Sequence, residues 1–541
     1  MVGRRWSLLV TYSPKQRGFC GHQIRAREPQ SIGVALACFP LGVRKLLLSH
    51  PKSKKPTQSV LYAGHVNEET RALPVIIQGG MGIAVSSWQL ARAVSQKGQL
   101  GVVSGTAIDA VVARRLQDGD EGGHVRRALA AFPLPEISKR VQNKYFRPEG
   151  RGDAPFIPVP KLSLRPSSDA MELWVVSNFV EVWLAKEGHD GLVGINYLEK
   201  IQMATPSAAY GAMLAGVDYV LMGAGIPSEI PQLLNQLAKH GEGAINVHVD
   251  GATTAYKETF DPQSFTDKKL PPLHRPKFLA IISAHVLATY LAKDEVTRPD
   301  GFVIEGFTAG GHNAPPRGAM VLDDDGQPVF GPRDEADISK VAKVGLPYWL
   351  AGGHSTPEQV RAALEVGAAG VQVGTIFSLA KESGLQSELR HELLGSLATG
   401  GLAVRTDPLG SPTGFPFKVA TLPETLSDRD VYESRPRLCD LGYLRVPYER
   451  SPGVVGYRCA SEPEHVFIRK GGEPGELVDR KCLCNALMAN IGLGQTRADG
   501  YVEPPLITMG SDLTGAHELL EAFPSGWNAT QAVDYLLKAV V

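Results

Sequence analysis

From about residue 73 the chain repeats one pattern: a short β-branched apolar run ends in glycine, and an Ala/Leu-rich window of helical spacing follows. Runs that are apolar throughout, rather than alternating, mark strands buried on both faces of a parallel sheet. Eight occur: PVIIQGG (74–80), QLGVVSG (99–105), GLVGINYL (191–198), VDYVLMGAG (217–225), KFLAIIS (277–283), DGFVIEG (300–306), LPYWLAGG (346–353) and AAGVQVGT (368–375). Between them the spacing predicts helices from about Ser87 through Lys97, with Ser86 or Ser87 as N-cap, from Pro206 to Ala215, and from Pro227 to about Lys239. Two more are AHVLATYLAKD and a helix opening at Thr356-Pro357-Glu358, where proline suits the first turn.

Eight strand–helix units over about 300 residues fit a (β/α)8 TIM barrel better than an open sheet. A doubly wound fold would show GxGxxG after its first strand, and QGGMG is not that motif. The expected organisation is a barrel over 69–395, with long loop insertions at about 106–190 and 244–276. A basic, disordered extension is expected over 1–68, and a C-terminal extension over 396–541, loop-rich and then helical at WNATQAVDYLLKAVV.

Charge and cysteine placement refine this. Net formal charge is zero, so nothing argues for nucleic acid or an anionic membrane as the partner of the whole chain. No apolar run reaches the 18 or so residues of a spanning helix. The first 67 residues carry eleven Lys/Arg against the single acid Glu28, a balance shared by transit peptides and by disordered basic tails. Pro14, Pro29, Pro40 and Pro51 break any long amphipathic helix there and favour the tail. Of six cysteines, Cys20 and Cys38 lie in this segment and the other four near the C-terminus, so a secreted disulfide scaffold is not expected and a cytoplasmic setting is. Cys439, Cys459, Cys482 and Cys484 lack paired CxxC spacing, which favours buried thiols over a zinc or iron–sulfur site.

Barrel chemistry sits at the C-terminal ends of the strands. Here those ends are glycines and short polar residues with one histidine, His312, behind Gly310 and Gly311. The set lacks the paired acids of a glycosidase and the ligand spacing of a metal hydrolase. Gly352-Gly353 after the seventh run and Gly374-Thr375 after the eighth stand where barrels hold a phosphate.

In order, IIQGGMG, GIN (194–196), EGFTAGGH, AGG (351–353) and GVQVGT-x-F (370–377), followed by AKES, resemble the motif series of the nitronate monooxygenase (2-nitropropane dioxygenase-like) family. FMN-dependent enoyl-ACP reductases of the same barrel type share most of these motifs. The resemblance covers about 70–105, 190–240 and 278–385. It implies FMN at the barrel mouth, with Gly79, Gly80 and Met81 beside the isoalloxazine and Asn196 bonding the flavin or its ribityl chain. Gly310 and Gly311 would pass close to the cofactor, Gly352, Gly353, Gly374 and Thr375 would hold its phosphate, and no metal is implied. His312 matches the family's candidate catalytic base. The implied reaction is oxidation of an alkyl nitronate with O2 to a carbonyl compound and nitrite, in a protein that can form oligomers. Two alternatives stand beside it: an enoyl-thioester (ACP or CoA) reductase using NAD(P)H, and a catalytically silent barrel whose added segments bind a partner. Thr308-Ala309 replaces the usual Glu-Ala before Gly-Gly-His, Asn313 follows the histidine, and His354 follows the phosphate glycines. These departures bear on the substrate rather than on the cofactor.

Overall fold

A computed structural model of the chain describes residues 72–540; the basic segment expected over 1–68, with Cys20 and Cys38, lies outside them. All eight apolar runs are strands: β1 Ile76–Gln78, β2 Leu100–Ser104, β3 Val193–Leu198, β4 Tyr219–Gly223, β5 Lys277–Ile282, β6 Gly301–Glu305, β7 Tyr348–Ala351 and β8 Gly370–Val373. Each pairs in parallel with its sequence neighbour, and β8 pairs with β1, so the sheet closes as a (β/α)8 TIM barrel. Alternate residues fill the interior, among them Ile77, Val102, Leu221, Leu279, Val303 and Trp349, and Trp349 Nε1 donates to Pro74 O at 2.8 Å. The barrel is therefore a packed core, and only the loops above its strand ends are left to build a site.

The helix starts follow local chemistry. Ser87 caps Trp88–Gln96 by accepting from Leu90 N, and Thr356 with Gln359 forms a capping box before Pro357–Glu365.

The stretch from 106 to 190 is more ordered than a loop insertion. Helices Ile108–Gln117, His124–Ala131 and Pro135–Tyr145 precede the Pro-rich loop, and Ser168–Lys186 then returns the chain to β3. This last helix is apolar on nearly every side because it is covered on nearly every side, so it lacks the stripe that marks a surface helix. Residues 244–276 hold an antiparallel hairpin, Gly243–Val247 with Tyr256–Phe260, followed by the short helix Pro262–Phe265 and a loop.

Residues 396–541 carry two further hairpins, Val404–Asp407 with Phe417–Ala420 and Val446–Ser451 with Val454–Arg458, and more helix than expected. They wrap the barrel within the same compact unit. Trp527 Nε1 donates to Ile376 O at 2.7 Å, Gly515 N to Ser355 Oγ at 3.2 Å, and Tyr443 OH to Asp109 Oδ1 at 2.7 Å. Among the described residues no helix is long and apolar enough to cross a membrane.

The hairpin buries Glu258 to 2% exposure, and burial pushes its carboxyl from the ordinary 4.5 up to about 8. The folded chain then holds a proton that the unfolded chain releases, so the stability present below about pH 4.5 is lost as pH climbs through 8. Glu258→Gln should remove that slope, gaining on the order of 2 kcal/mol at alkaline pH and nothing at acid pH. Thermal melts across pH check this, and parallel wild-type and variant curves would contradict it.

Candidate active site at the barrel mouth

Three adjoining clefts open above the strand ends and share Glu305, the last residue of β6. The first is lined by glycine-rich turns: Gly79, Gly80 and Met81 after β1, Gly310 and Gly311 after β6, Gly352 and Gly353 after β7, and Gly374 with Thr375 after β8. The second, of about 940 Å³ including space open to solvent, adds Asn196 and His312 to Gly80, Gly310 and Gly311. Every site residue expected from the sequence thus borders one continuous mouth. The third cleft, a vestibule of about 1320 Å³, adjoins the second at Ala224, Ile281, Glu305 and His312.

His312 is fixed from the far side by the C-terminal part of the chain. Its loop forms an isolated antiparallel bridge with Phe417, with Asn313 N donating to Pro416 O and Lys418 N to Gly311 O, both at 2.9 Å. The Phe417 ring meets the imidazole edge-on, centroids 4.9 Å apart at 73°. Nε2 shares a 2.7 Å hydrogen bond with Ser411 Oγ, which is itself 2.8 Å from Thr413 Oγ1. Burial first, then the positive charge of Lys200, lowers the ring from 6.5 to about 4, so the imidazole is neutral near pH 7. Burial raises the Glu305 carboxyl from 4.5 to about 7.

The glycine-lined cleft fits a flavin mononucleotide. Gly352 and Gly353 hold φ of 79° and 71°, a conformation open to glycine and strained for other residues. A Cβ on Gly310 would stand 2.8 Å from the Met509 carbonyl carbon, so the turn leaves no room for a side chain. No lysine or arginine lines this cleft, and a phosphate there would rest on backbone N–H groups with the Thr375, Ser355 and Ser378 hydroxyls. Gln372 borders both this cleft and the second, and its Oε1 is buried without a hydrogen-bond partner, as a group awaiting a ligand donor would be. Asn196 Nδ2 is held by Tyr197 O at 3.1 Å.

The family model described as nitronate monooxygenase matches residues 260–405. Over these residues the chain is similar to the nitronate monooxygenase family. A curated nitronate monooxygenase from Pseudomonas aeruginosa is 32% identical over 162 residues, which are 28% of this chain and 42% of that protein. The chain therefore spans under half the length of that relative. Among solved structures, FabK from Thermotoga maritima aligns over 86% of this chain and 93% of its own, at 15% identity and a TM-score of 0.44. The nitroalkane oxidase from Streptomyces ansochromogenes aligns over 87% and 96%, at 15% identity and a TM-score of 0.38. These two likenesses concern the fold alone.

The matched segment contains His312 and the glycines after β6, β7 and β8, but the groups that brace them lie outside it. Thr508 Oγ1 accepts from Gly311 N at 2.9 Å, Thr375 Oγ1 accepts from Gly510 N at 3.0 Å, and Thr308 O accepts from Ser511 N at 2.9 Å. Sequence reasoning missed these groups, together with Ser411, Phe417, Gln372 and Glu305. For the last two a signal existed, a lone polar residue inside an otherwise apolar barrel run. Of the other histidines, His354 borders the glycine cleft with Nδ1 2.8 Å from Gly352 O, and His285 accepts from Asp337 N at 3.3 Å. Cys459, Cys482 and Cys484 are buried free thiols, and among the described residues no group of three or more His, Cys, Asp or Glu is arranged to hold a metal ion.

Proposed function

We propose that the protein is an FMN-dependent oxidoreductase acting on an α,β-unsaturated acyl thioester, with NAD(P)H as reductant. The supporting observation is the continuity of the second cleft with the vestibule, both walled largely by apolar side chains. Ile83, Ile201, Leu483 and Leu487 line one, and Ile226, Leu287, Phe307 and Phe330 line the other. A small nitronate needs no such channel, whereas an acyl chain would bury its methylenes along it.

When bound, FMN supplies hydride chemistry. Gly352, Gly353, Gly374 and Thr375 would hold its phosphate, Gly79, Gly80 and Met81 would flank the ring, and Asn196 and Gln372 would hydrogen-bond it. Gly310 and Gly311 would let the backbone pass beside it. His312, neutral and oriented through Nε2 by Ser411, is suited to hydrogen-bonding a substrate oxygen and poorly suited to abstracting a proton from carbon. Glu305, poised near neutrality at the junction of the clefts, is a proton-holding group. The cytoplasmic setting suggested by the cysteine distribution would supply the nicotinamide.

The second reading is oxidation of an alkyl nitronate by O2, favoured by the family match over 260–405. The purified protein should show a flavin spectrum, be reduced anaerobically by NADPH or NADH, and be reoxidised by enoyl thioesters faster as the acyl chain lengthens. Nitrite formation from a nitronate without nicotinamide, together with no reduction by NAD(P)H, would transfer the assignment to the second reading. A colourless protein would defeat both.

A further inference from the structure

We propose that Lys200 is the anion anchor of the substrate cleft, its ammonium pairing with a substrate oxygen that carries full or developing negative charge. The proposal rests on the reading that the vestibule and second cleft form the substrate channel; it does not depend on which oxidation is performed there.

Lys200 stands just past the end of β3 (Val193–Leu198), at the functional end of the barrel, and lines the vestibule beside Glu305 and His312. Its side chain is only 24% exposed, and Nζ lies 4.2 Å from the centroid of the Phe415 ring. That ring face takes the place of water on one side of the ammonium without neutralising it. Its ion-pair partner, Glu199 Oε2, stands 3.7 Å away, a loose pairing beyond hydrogen-bond distance, and the other oxygen of Glu199 already accepts from Gln202 Nε2 at 2.8 Å.

The remaining charges of the vestibule are otherwise engaged. The guanidinium of Arg317 donates to Ser283 O at 2.9 Å and to Arg333 O, and Asp334 accepts from Arg317 N at 2.6 Å and Gly331 N at 2.8 Å. Glu305 is kept toward its neutral form by burial. Lys200 therefore presents a cation with no hydrogen-bonded acid, in a half-buried apolar channel, close enough to His312 to depress its basicity. A desolvated lysine in this position is stabilised most by an anion arriving with the ligand. A thioester oxygen gaining enolate character, a nitronate oxygen and a carboxylate share the required chemistry.

The test uses the purified full chain with two probes of equal tail length, decanoate and decanol, measured by titration calorimetry. Lys200→Met should weaken decanoate about tenfold or more while leaving decanol unchanged, and Lys200→Arg should retain most of the carboxylate preference. In the same variants, the NMR titration midpoint of His312 should rise in Lys200→Met and stay low in Lys200→Arg, a shift that loss of packing alone would not produce. Equal weakening of both probes, or none, would overturn the anchor. Charge-selective decanoate binding in a wild-type protein that NAD(P)H cannot reduce would leave the anchor standing and sink only the reductase reading.

Discussion

Gly310→Ala is expected to destabilise the protein by about 3 kcal/mol and to strip it of bound flavin. The residue keeps a negative φ, so alanine is conformationally acceptable; space alone forbids it. The added carbon would stand 2.8 Å from the Met509 carbonyl carbon, 2.9 Å from Gly510 N and 3.0 Å from Met509 Cα. All three are backbone atoms, which cannot swing aside as a side chain would. Relief requires the strap at 508–511 to lift, and that breaks the Gly311–Thr508 and Gly510–Thr375 bonds together. Gly395→Ala is the control: it lies within helix Ser387–Ala398 and its added carbon meets nothing within 4 Å. It should gain about 0.5–1 kcal/mol. Urea unfolding and the flavin content of the two purified variants check the pair, and equal behaviour would mean that the strap is not tightly seated.

His312→Asn should lower turnover with the best substrate by about 10²-fold or more, the typical loss for a hydrogen-bond donor to a reacting oxygen. It should also change stability in acid, with a definite sign. The folded ring titrates near 4 and the unfolded one near 6.5, so between these values the unfolded chain binds the proton more readily. Wild-type stability is then fully present above about 6.5 and is lost as pH falls toward 4, by on the order of 1 kcal/mol for this partly exposed ring. The asparagine variant lacks that contribution to the slope. Turnover of the flavin-loaded variant and melts between these pH values provide the readouts, and unchanged turnover would remove His312 from the chemistry.

The barrel was legible because its strands are continuous apolar runs that nothing but a two-sided parallel sheet explains. The glycine turns were legible for a related reason: a backbone that must approach a ligand leaves its need for glycine in the sequence. Helix Ser168–Lys186 was hidden because burial on nearly every side erased its periodicity. Ser411, Phe417, Thr508 and Gly510 were hidden differently. Each acts on a residue roughly 100 to 200 positions earlier, and no local pattern encodes a partner at that separation. The pocket-facing glycines could be found along the chain, but what holds them could be found only in space.

The late strap also sets an order of events during synthesis. Strands β1 to β8 are complete by Val373, and nothing in their ladder waits for later residues. The hydroxyl that fixes Gly311 belongs to Thr508, and the amide that occupies Thr375 belongs to Gly510. A nascent chain emerging at about 5–20 residues per second exposes all eight strands well before those residues leave the ribosome. The braces of the glycine turns are thereby the last part of the mouth to be made, so a translation arrest that spares every strand would still leave Gly311 and Thr375 without their partners.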